Sequence, residues 1–331
     1  MTKNVVFLSG GVGGARFAQA LDTWNGEAGN PLACTAIVNV GDDFTHLGMR
    51  ISPDLDSVAY HLAGLGNRAR GWGRAGDTDA VMTEMRRVLP TASWFQLGDL
   101  DIAHNLLRTH LLNDGAPLSE VTRILNELYG VRFTVLPVTD APSPTLVTFP
   151  AGGETLRFQE WWVRDQAQPT PSGFAFPEAR AARPSPGVIE ALASADLIVV
   201  APSNPVVSID PILAIPGIRA ALTNSAAPIV GLSPIIGGRP VRGWLDRCLE
   251  AVAVECSAPA IAAYYGNRQD GGLLDGWLAD PQDAGTTDTF GGAVAHVPLL
   301  FTQDERDLAI IEAVFSLAER ITTEAKSGLS V

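Results

Sequence analysis

Four aspartates are the residues whose type and spacing point most clearly to chemistry. They form two pairs on either side of one predicted loop, Asp42 with Asp43 and Asp54 with Asp56. Carboxylates at the end of a buried strand favour a hard cation such as Mg²⁺, which binds one or two carboxylates together with substrate phosphate oxygens. Aspartates also cap helices and form turns, but caps do not require two separate pairs. The sequence therefore predicts a Mg²⁺ site, without deciding which of the four bind the ion.

A glycine cluster near the N-terminus is suited to holding the phosphates of a nucleotide. Gly10, Gly11, Gly13 and Gly14 follow a short apolar run, and Arg16 comes two residues later. Glycines let the backbone approach phosphate oxygens, and the next helix offers free N–H groups at its N-terminus. The dinucleotide-binding motif G-x-G-x-x-G is incomplete because Arg16 stands at the position of its last glycine. The Walker A motif is also absent, since no Lys-Ser or Lys-Thr follows the glycines. We predict phosphate binding here, with Arg16 helping to hold a diphosphate.

Three further segments carry charged or aromatic side chains. Gly66–Arg74 places three arginines and Trp72 among glycines, a composition suited to phosphate binding and ring stacking. His104 and Arg108 share a helical face at i, i+4 spacing, although a lone histidine more often has a plain core or surface role. The aromatic run Phe158–Arg164 is more typical of a packing or subunit surface than of a ring-stacking site.

The elements that must position these groups are those of an α/β protein. Short, continuous apolar runs predict parallel strands that are covered on both faces. They are Val5–Leu8, Thr35–Val40, Leu197–Val200 and Pro228–Leu232. Polar motifs follow all four, and open parallel sheets bind ligands beyond the carboxyl ends of their strands. The sequence predicts a Rossmann-like, largely parallel sheet with helices on both faces.

Other patterns fill the gaps between these strands. Apolar periodicity predicts helices over Ser119–Tyr129 and Asp304–Ile321. A hairpin is predicted from Leu146–Phe149 and Leu156–Phe158, around Gly152 and Gly153. Residues 166–187, rich in Pro, Ala and Ser, are expected to be irregular. We expect a nucleotide-binding core of residues 1–45 and 190–331, with a helical and β-hairpin insertion over residues 46–189.

Composition excludes several classes of protein. The chain has 331 residues, and 23 Lys and Arg against 36 Asp and Glu give a net charge of −13, unlike the basic surface of a nucleic-acid binder. Three widely spaced cysteines suggest neither zinc nor disulfides. No apolar run approaches the ~20 residues of a membrane span, and no signal peptide is evident. We expect a cytoplasmic protein with small-molecule substrates.

These segments, in this order, resemble the 2-phospho-L-lactate transferase family of coenzyme F420 biosynthesis, known as CofD in archaea and FbiA in bacteria. The resemblance covers nearly the whole chain, and its short motifs are highly specific when taken together. They are Leu8–Arg16, Asn39–Asp43, Ile51–Asp56, Arg70–Gly73, Trp94–Asp99, Phe158–Trp162, Pro202–Ser208 and Ser233–Gly237.

The resemblance implies a transferase that uses Mg²⁺ and forms a homodimer. The family moves a phospho-three-carbon unit (lactyl, enolpyruvyl or glyceryl) from a guanosine diphosphate-linked donor to the deazaflavin alcohol Fo. The products would be F420-0, or its dehydro form, and GMP. No motif distinguishes the three donors. The insertion would shape the Fo site and the dimer contact.

Carried over position by position, the resemblance assigns roles to residues. Asp42 and Asp56 would hold the cation, and Asp56 would also act in catalysis at the Fo site. The nucleotide would contact Gly10, Gly11, Gly13, Gly14, Arg16, Ser203 and Asn204. The acceptor would contact Asp54, Asp56, Trp72, Gln96 and Asp99. Phosphoryl transfer needs positioning and charge neutralisation above all, and Asp43 or Asp54 is the candidate for accepting the alcohol proton.

The chain departs from the commoner family pattern near the presumed acceptor site. Thr45 and His46 follow the first aspartate pair, where many relatives carry a Trp. Leu100 replaces an arginine of Gly-Asp-Arg-Asp, and His104-Asn105 replaces a Thr-His pair. These changes bear on donor or acceptor detail rather than on the reaction class.

Three other functions share parts of this pattern. A nicotinamide-dependent oxidoreductase is disfavoured by the broken glycine fingerprint. A non-enzymatic nucleotide-binding module is disfavoured by the four clustered aspartates. A sugar-nucleotide transferase also uses aspartate-held Mg²⁺ and diphosphate donors, and it is the main alternative.

Overall fold

The computed structural model describes residues 3–27, 32–67, 69–150, 154–286, 290–302 and 305–328. Its strands are β1 Asn4–Ser9, β2 Ala33–Val38, β3 Phe44–His46, β4 Met49–Ile51, β5 Thr134–Pro137, β6 Leu146–Thr148, β7 Leu156–Arg157, β8 Gly173–Ala175, β9 Leu197–Val200, β10 Ile229–Leu232, β11 Ile235–Ile236, β12 Arg239–Pro240, β13 Gly276–Ala279 and β14 Ala293–His296. Its α-helices are α1 Gly11–Glu27, α2 Pro53–Leu62, α3 Ala80–Val88, α4 Asp99–Asn113, α5 Leu118–Leu128, α6 Val188–Ala193, α7 Asp210–Leu213, α8 Ile218–Asn224, α9 Leu245–Ala251, α10 Ala258–Tyr265 and α11 Arg306–Gly328.

The centre of the fold is a seven-stranded sheet in the order β14-β13-β10-β9-β1-β2-β5. Every neighbouring pair in it is parallel. Its inner strands are buried along their length, as in the Leu197–Val200 and Ile229–Leu232 runs, because helices cover both faces of such sheets. The predicted α/β, Rossmann-like fold is confirmed.

The long helices pack against this sheet through apolar stripes. Phe17 and Leu21 of α1 are buried, and the Phe17 ring meets the Phe7 ring of β1 edge-on at 5.5 Å. Trp24 at the far end of α1 stacks on Phe315 of α11 at 4.7 Å. The predicted C-terminal helix is therefore present as α11, although its expected first residue, Asp304, lies outside the described residues.

Residues 46–189 contribute to the sheet as well as to its surroundings. β5 pairs with β2 and forms one edge of the central sheet, and α5 packs against it over nearly the range predicted for that helix. The predicted hairpin forms as β6 and β7, with Gly152 and Gly153 outside the described residues. β8 pairs with β6 to make a three-stranded sheet, so the segment expected to be irregular contains a strand.

Among the described residues, no single helix has both the length and the apolar composition needed to cross a membrane. One bent pair, Pro205–Leu213 with Ile218–Asn224, meets these criteria only when its two parts are taken together.

Candidate active site

A cleft of about 500 Å³ lies at the carboxyl ends of the central strands. Segments that follow β1, β2, β9 and β10 all reach it, as is typical of ligand sites in open parallel sheets. Of the predicted site residues, those that line it are Gly10, Gly11, Gly13, Arg16, Asp42, Asp54, Trp72, Gln96, Ser203 and Asn204. Those that do not are Gly14, Asp43, Asp56 and Asp99. The structure thus brings most of the distant motifs to one place.

The glycine cluster forms the first turn of α1, because the helix already begins at Gly11. A Cβ at Gly13 would collide with the carbonyl oxygen of Pro202, so only glycine lets the helix approach the segment after β9 this closely. Ser203 joins the two segments, since its Oγ donates to the Gly10 carbonyl at 2.7 Å and accepts from the Gly10 N–H at 3.1 Å. The helix N-terminus, with its free N–H groups, therefore faces the cleft.

Two carboxylates face the same cleft. The Asn39 amide donates to both, to Asp42 Oδ1 at 3.2 Å and to Asp54 Oδ2 at 2.9 Å. Asp54 also accepts from the Gly11 N–H, and Asp42 accepts from Gln159 Nε2 at 3.0 Å. Burial and the Asp54 charge raise the pKa of Asp42 well above its ordinary value, and burial likewise raises the pKa of Asp54. Buried carboxylates that repel each other are stabilised by a cation between them.

Asp43 lies behind this pair. Its Oδ2 accepts from Ser52 Oγ at 2.8 Å, while its Oδ1 is buried and has no hydrogen-bond partner among the described residues. Burial raises the pKa of Asp43 to about 8. The group therefore titrates near neutral pH in the folded protein, as a proton acceptor would.

Asp56 has a different environment from the other three. It accepts from Arg108 Nη1 at 3.2 Å, makes a closer contact with Arg108 Nη2, and lies 2.9 Å from His104 Nε2. Burial disfavours its charge, but Arg108 and His104 outweigh that effect and hold its pKa below the ordinary value. Because its oxygens are occupied by these partners and it does not line the cleft, Asp56 occupies an ion pair between α2 and α4. The metal-binding and catalytic roles predicted for Asp56 stay predictions.

Asp42 and Asp54 are the acidic residues in the cleft lining that could bind a metal ion. Within the described ranges, no group of three or more His, Cys, Asp or Glu side chains is arranged to hold a metal ion. Asp42 and Asp54 nevertheless fit Mg²⁺, which often takes only one or two protein carboxylates and completes its coordination with phosphate oxygens and water.

Aromatic side chains form another part of the lining. Trp72, Phe95, Phe158 and Trp162 all border the cleft, and their faces are suited to a flat ring. The aromatic run after β7 thus has two roles, since Trp161 is fully buried in the core while Trp162 borders the cleft.

Asp99 lies outside the cleft, on the exposed surface. It accepts from Thr78 Oγ1 at 2.6 Å and from the N–H groups of Ala80 and Val81 at 3.1 and 2.9 Å. These contacts fix the start of α3, so the structure gives Asp99 a place in the local backbone instead of the expected contact with the acceptor.

Two arginines line the cleft from separate segments. Arg16 is on α1 and donates to the Phe301 carbonyl at 3.3 Å, whereas Arg242 follows β12 and contacts the Arg70 carbonyl. Burial, and then the positive charge of Arg242, lowers the pKa of Arg16. The two guanidinium groups therefore lie close enough to repel each other.

Comparisons with known proteins agree with this geometry. The 2-phospho-L-lactate transferase CofD family matches residues 5–289. Phosphoenolpyruvate transferases from Mycolicibacterium smegmatis and Thermobifida fusca are 42% and 44% identical to the chain; each alignment covers 95% of this chain, and 98% and 97% of those proteins.

The chain belongs to the 2-phospho-L-lactate transferase family. It is therefore an enzyme of the transferase class, and the resemblance inferred from its motifs is confirmed. A UPF0052 family protein from Bacillus halodurans has the same fold, with a TM-score of 0.62 at 18% identity over 95% of this chain and 99% of that one.

Gln159 and Arg242 are two of the cleft residues that were not predicted as site residues from the sequence. Gln159 lies in the aromatic run that was interpreted as a packing surface, yet its amide holds Asp42. Arg242 follows the Ser233–Gly237 motif at the end of β10, and its placement after a buried strand was the available signal. Neither residue has local spacing that points to the aspartates or to Arg16.

Proposed function

We propose that this transferase moves a phosphoenolpyruvyl or 2-phospholactyl unit from a guanosine diphosphate-linked donor to the alcohol of Fo, releasing GMP, in coenzyme F420 biosynthesis. Family membership supports the reaction class, and the names of the relatives support an enolpyruvyl or lactyl unit. Donor, acceptor and nucleotide product are the parts that we propose.

One observation carries the proposal: the Asp42–Asp54 pair and the N-terminus of α1 border one cleft. The helix N-terminus favours phosphate oxygens through its free N–H groups and its dipole. The aspartates favour a cation that would offset the charge of those oxygens. This arrangement is suited to a nucleoside diphosphate donor whose bridging bond breaks.

We place Mg²⁺ at Asp42 and Asp54 in preference to Asp42 and Asp56. When bound there, the ion would neutralise diphosphate oxygens and the charge that develops on the departing GMP. Asn39 and Gln159 orient the carboxylates, while the glycine turn of α1 and Arg16 hold the nucleotide phosphates. Ser203 and Asn204 position the segment that faces that turn.

The acceptor would lie against the aromatic lining, with its primary alcohol directed at the phosphorus that carries the three-carbon unit. Asp43 does not line the cleft, so it would accept the alcohol proton through one water, at the Oδ1 that has no other partner among the described residues. A general base of this kind usually contributes ~10²–10⁴ in rate. Attack forms the new P–O bond as the bond to the GMP oxygen breaks.

The test is mass spectrometry of products formed from Fo with each donor. We expect F420-0 from the lactyl donor or its dehydro form from the enolpyruvyl donor, with one GMP per product, only when Mg²⁺ is present. Transfer from a guanosine diphosphate sugar, with none from the three-carbon donors, would instead establish the sugar-nucleotide alternative. The homodimer and the cytoplasmic location stay predictions.

A further inference from the structure

Arg16 and Arg242 form a positive site within the cleft. Both residues line it. Neither guanidinium has a carboxylate within 4.0 Å among the described residues, although the Asp307 charge acts on Arg16, in a chain whose net charge is −13. Arg16 Nε is buried and has no hydrogen-bond partner in that part of the chain. Two guanidinium groups that repel each other favour an anion between them.

The surrounding backbone fixes where Arg242 can lie. Its guanidinium contacts the Arg70 carbonyl, and a Cβ at Gly71 would collide with it. Gly71 has φ +75°, a backbone conformation that glycine adopts without strain. A Cβ at Gly71 would also lie 3.0 Å from Val12 Cγ1, so Arg242 lies close both to the loop that carries Trp72 and to the N-terminal turn of α1.

The proposed donor has one charged group that the phosphate site does not cover. The α1 turn and the cation at Asp42 and Asp54 serve the diphosphate, but a lactyl, enolpyruvyl or glyceryl unit also has a carboxylate. A carboxylate is planar and matches the fork of an arginine bidentately. Near Asp42 and Asp54 it would be repelled, so the arginine pair is the favourable place for it.

We propose that Arg242 binds the carboxylate of the three-carbon unit, beside the phosphates that Arg16 holds, and so selects acidic donors over uncharged sugar nucleotides. The proposal rests on the proposed function. It makes Arg242 a specificity-determining residue that contacts the donor away from the reacting phosphorus.

The experiment compares the carboxylate donor with an analogue that carries a carboxamide instead. In the wild-type enzyme we expect the analogue to lower kcat/KM at least about tenfold, the size expected for a lost charge-assisted contact. In Arg242→Gln we expect kcat/KM for the carboxylate donor to fall about tenfold, chiefly through KM, and the two donors to differ by less than about threefold. Arg242→Lys keeps the charge but loses the paired N–H donors of the guanidinium, so its ratio of kcat/KM values for the two donors should lie between those of the wild type and Arg242→Gln.

GDP serves as the probe that has the diphosphate but no carboxylate. Calorimetry with GDP and Mg²⁺ should give the same Kd for Arg242→Gln and the wild type, within about twofold. Arg247→Gln is the matched control on the same segment, because Arg247 contacts Trp244 and the Ala167 carbonyl and does not line the cleft. It should behave as the wild type in both assays.

Two results would overturn the assignment. One is an Arg242→Gln enzyme that still discriminates against the carboxamide as strongly as the wild type. The other is a loss of GDP affinity equal to the loss for the donor, which would place Arg242 on the diphosphate. If the wild type forms no product from Fo with either donor, the proposed transfer fails. The arginine assignment is then decided by binding: the ratio of the Kd values of the carboxylate donor and the carboxamide analogue is compared between the wild type and Arg242→Gln.

Discussion

The four aspartates of the active-site region differ in environment because their neighbours differ. Asp42 and Asp54 face the cleft and share an amide donor, Asp43 has an unpartnered oxygen, and Asp56 is neutralised by Arg108. A carboxylate that is already paired with an arginine gains little from a cation, whereas two adjacent unpaired carboxylates gain much.

Substitution of single aspartates should separate these roles. We expect Asp42→Asn or Asp54→Asn to raise the Mg²⁺ concentration needed for half-maximal activity at least about tenfold, since each removes one carboxylate from the cation site. Asp43→Asn should instead lower kcat by roughly 10²–10⁴ with an unchanged Mg²⁺ requirement. Steady-state titration with MgCl₂ measures both quantities.

An exposed aspartate on α9 provides the control. Asp246→Asn changes the same charge on the surface and should leave both quantities unaltered. An Asp43→Asn enzyme that needs at least about tenfold more Mg²⁺ for half-maximal activity, while keeping its kcat at saturating Mg²⁺, would contradict the assignment and move the cation to Asp43.

The sequence predicts which residues form the cleft better than it predicts the contacts between their side chains. Aspartates after a buried strand and glycines before a helix identify the cleft, because these positions meet at one edge of a parallel sheet. The sequence does not show that Arg108 pairs with Asp56, because this contact depends on how α4 packs on α2. It likewise does not show that Arg242 lies near Arg16, because the two residues are far apart along the chain and only the fold brings both to the cleft.

At the scale of elements, the inner strands were predicted and the outer ones were missed. β1, β2, β9 and β10 are continuous apolar runs, and their predicted bounds hold within two residues. β5 and β14 are edge strands with partly exposed side chains, so they lack that signal. β13 is buried but begins with glycine, which is depleted in strands.

The close approach of α1 to the segment after β9 can be tested with two glycines of the same helix. Gly13→Ala should lower the free energy of unfolding by about 1–3 kcal/mol, the usual cost of overpacking, and should weaken GDP binding, because the Pro202 carbonyl must move. Urea unfolding and calorimetry measure these effects.

Gly26→Ala is the matched control near the other end of α1. There a Cβ would meet only Arg132 Nη2 at 3.7 Å, an ordinary contact, so this change should stabilise the helix by up to about 1 kcal/mol and leave GDP affinity unchanged. Equal effects of the two substitutions would show that helix propensity, and not the contact with Pro202, governs position 13.

The ion pair between α2 and α4 should contribute to stability. Arg108→Gln leaves the Asp56 charge buried without its main partner, and breaking such a pair typically costs about 3–5 kcal/mol of unfolding free energy. Asp56→Asn combined with Arg108→Gln should recover part of that loss, because no unpaired charge remains.

Arg123→Gln is the comparison on α5, where Arg123 pairs with Glu120 and Glu127 at the surface. Exposed pairs contribute little, so this variant should unfold like the wild type. Similar unfolding midpoints for Arg108→Gln and the wild type would contradict the structural role given to the buried pair.

For the whole molecule, the raised pKa values link stability to pH and to the cation. The folded pKa of Asp43, about 8, lies above the ordinary value of 3.8 for an aspartate carboxyl group. Between these two values the folded state binds more protons than the unfolded state, so the free energy of unfolding falls as pH rises. Asp42 and Asp54 act in the same direction. The pKa of Asp56 is lowered, so its contribution to the free energy of unfolding changes only in more acidic solution, where it is lost as pH falls.

We therefore expect the free energy of unfolding, measured with urea in the absence of Mg²⁺, to fall from pH 5.5 to pH 7.5. Asp43→Asn should flatten this fall by up to about 1.4 kcal/mol per pH unit, the value of one fully linked proton. Because Mg²⁺ would bind the deprotonated carboxylates at the proposed site, adding MgCl₂ should stabilise the protein more at pH 7.5 than at pH 5.5. Potassium chloride at matched ionic strength controls for screening of the net negative charge. A stabilisation by MgCl₂ that is equal at both pH values, or reproduced by potassium chloride, would mean that the buried carboxylates do not bind the ion.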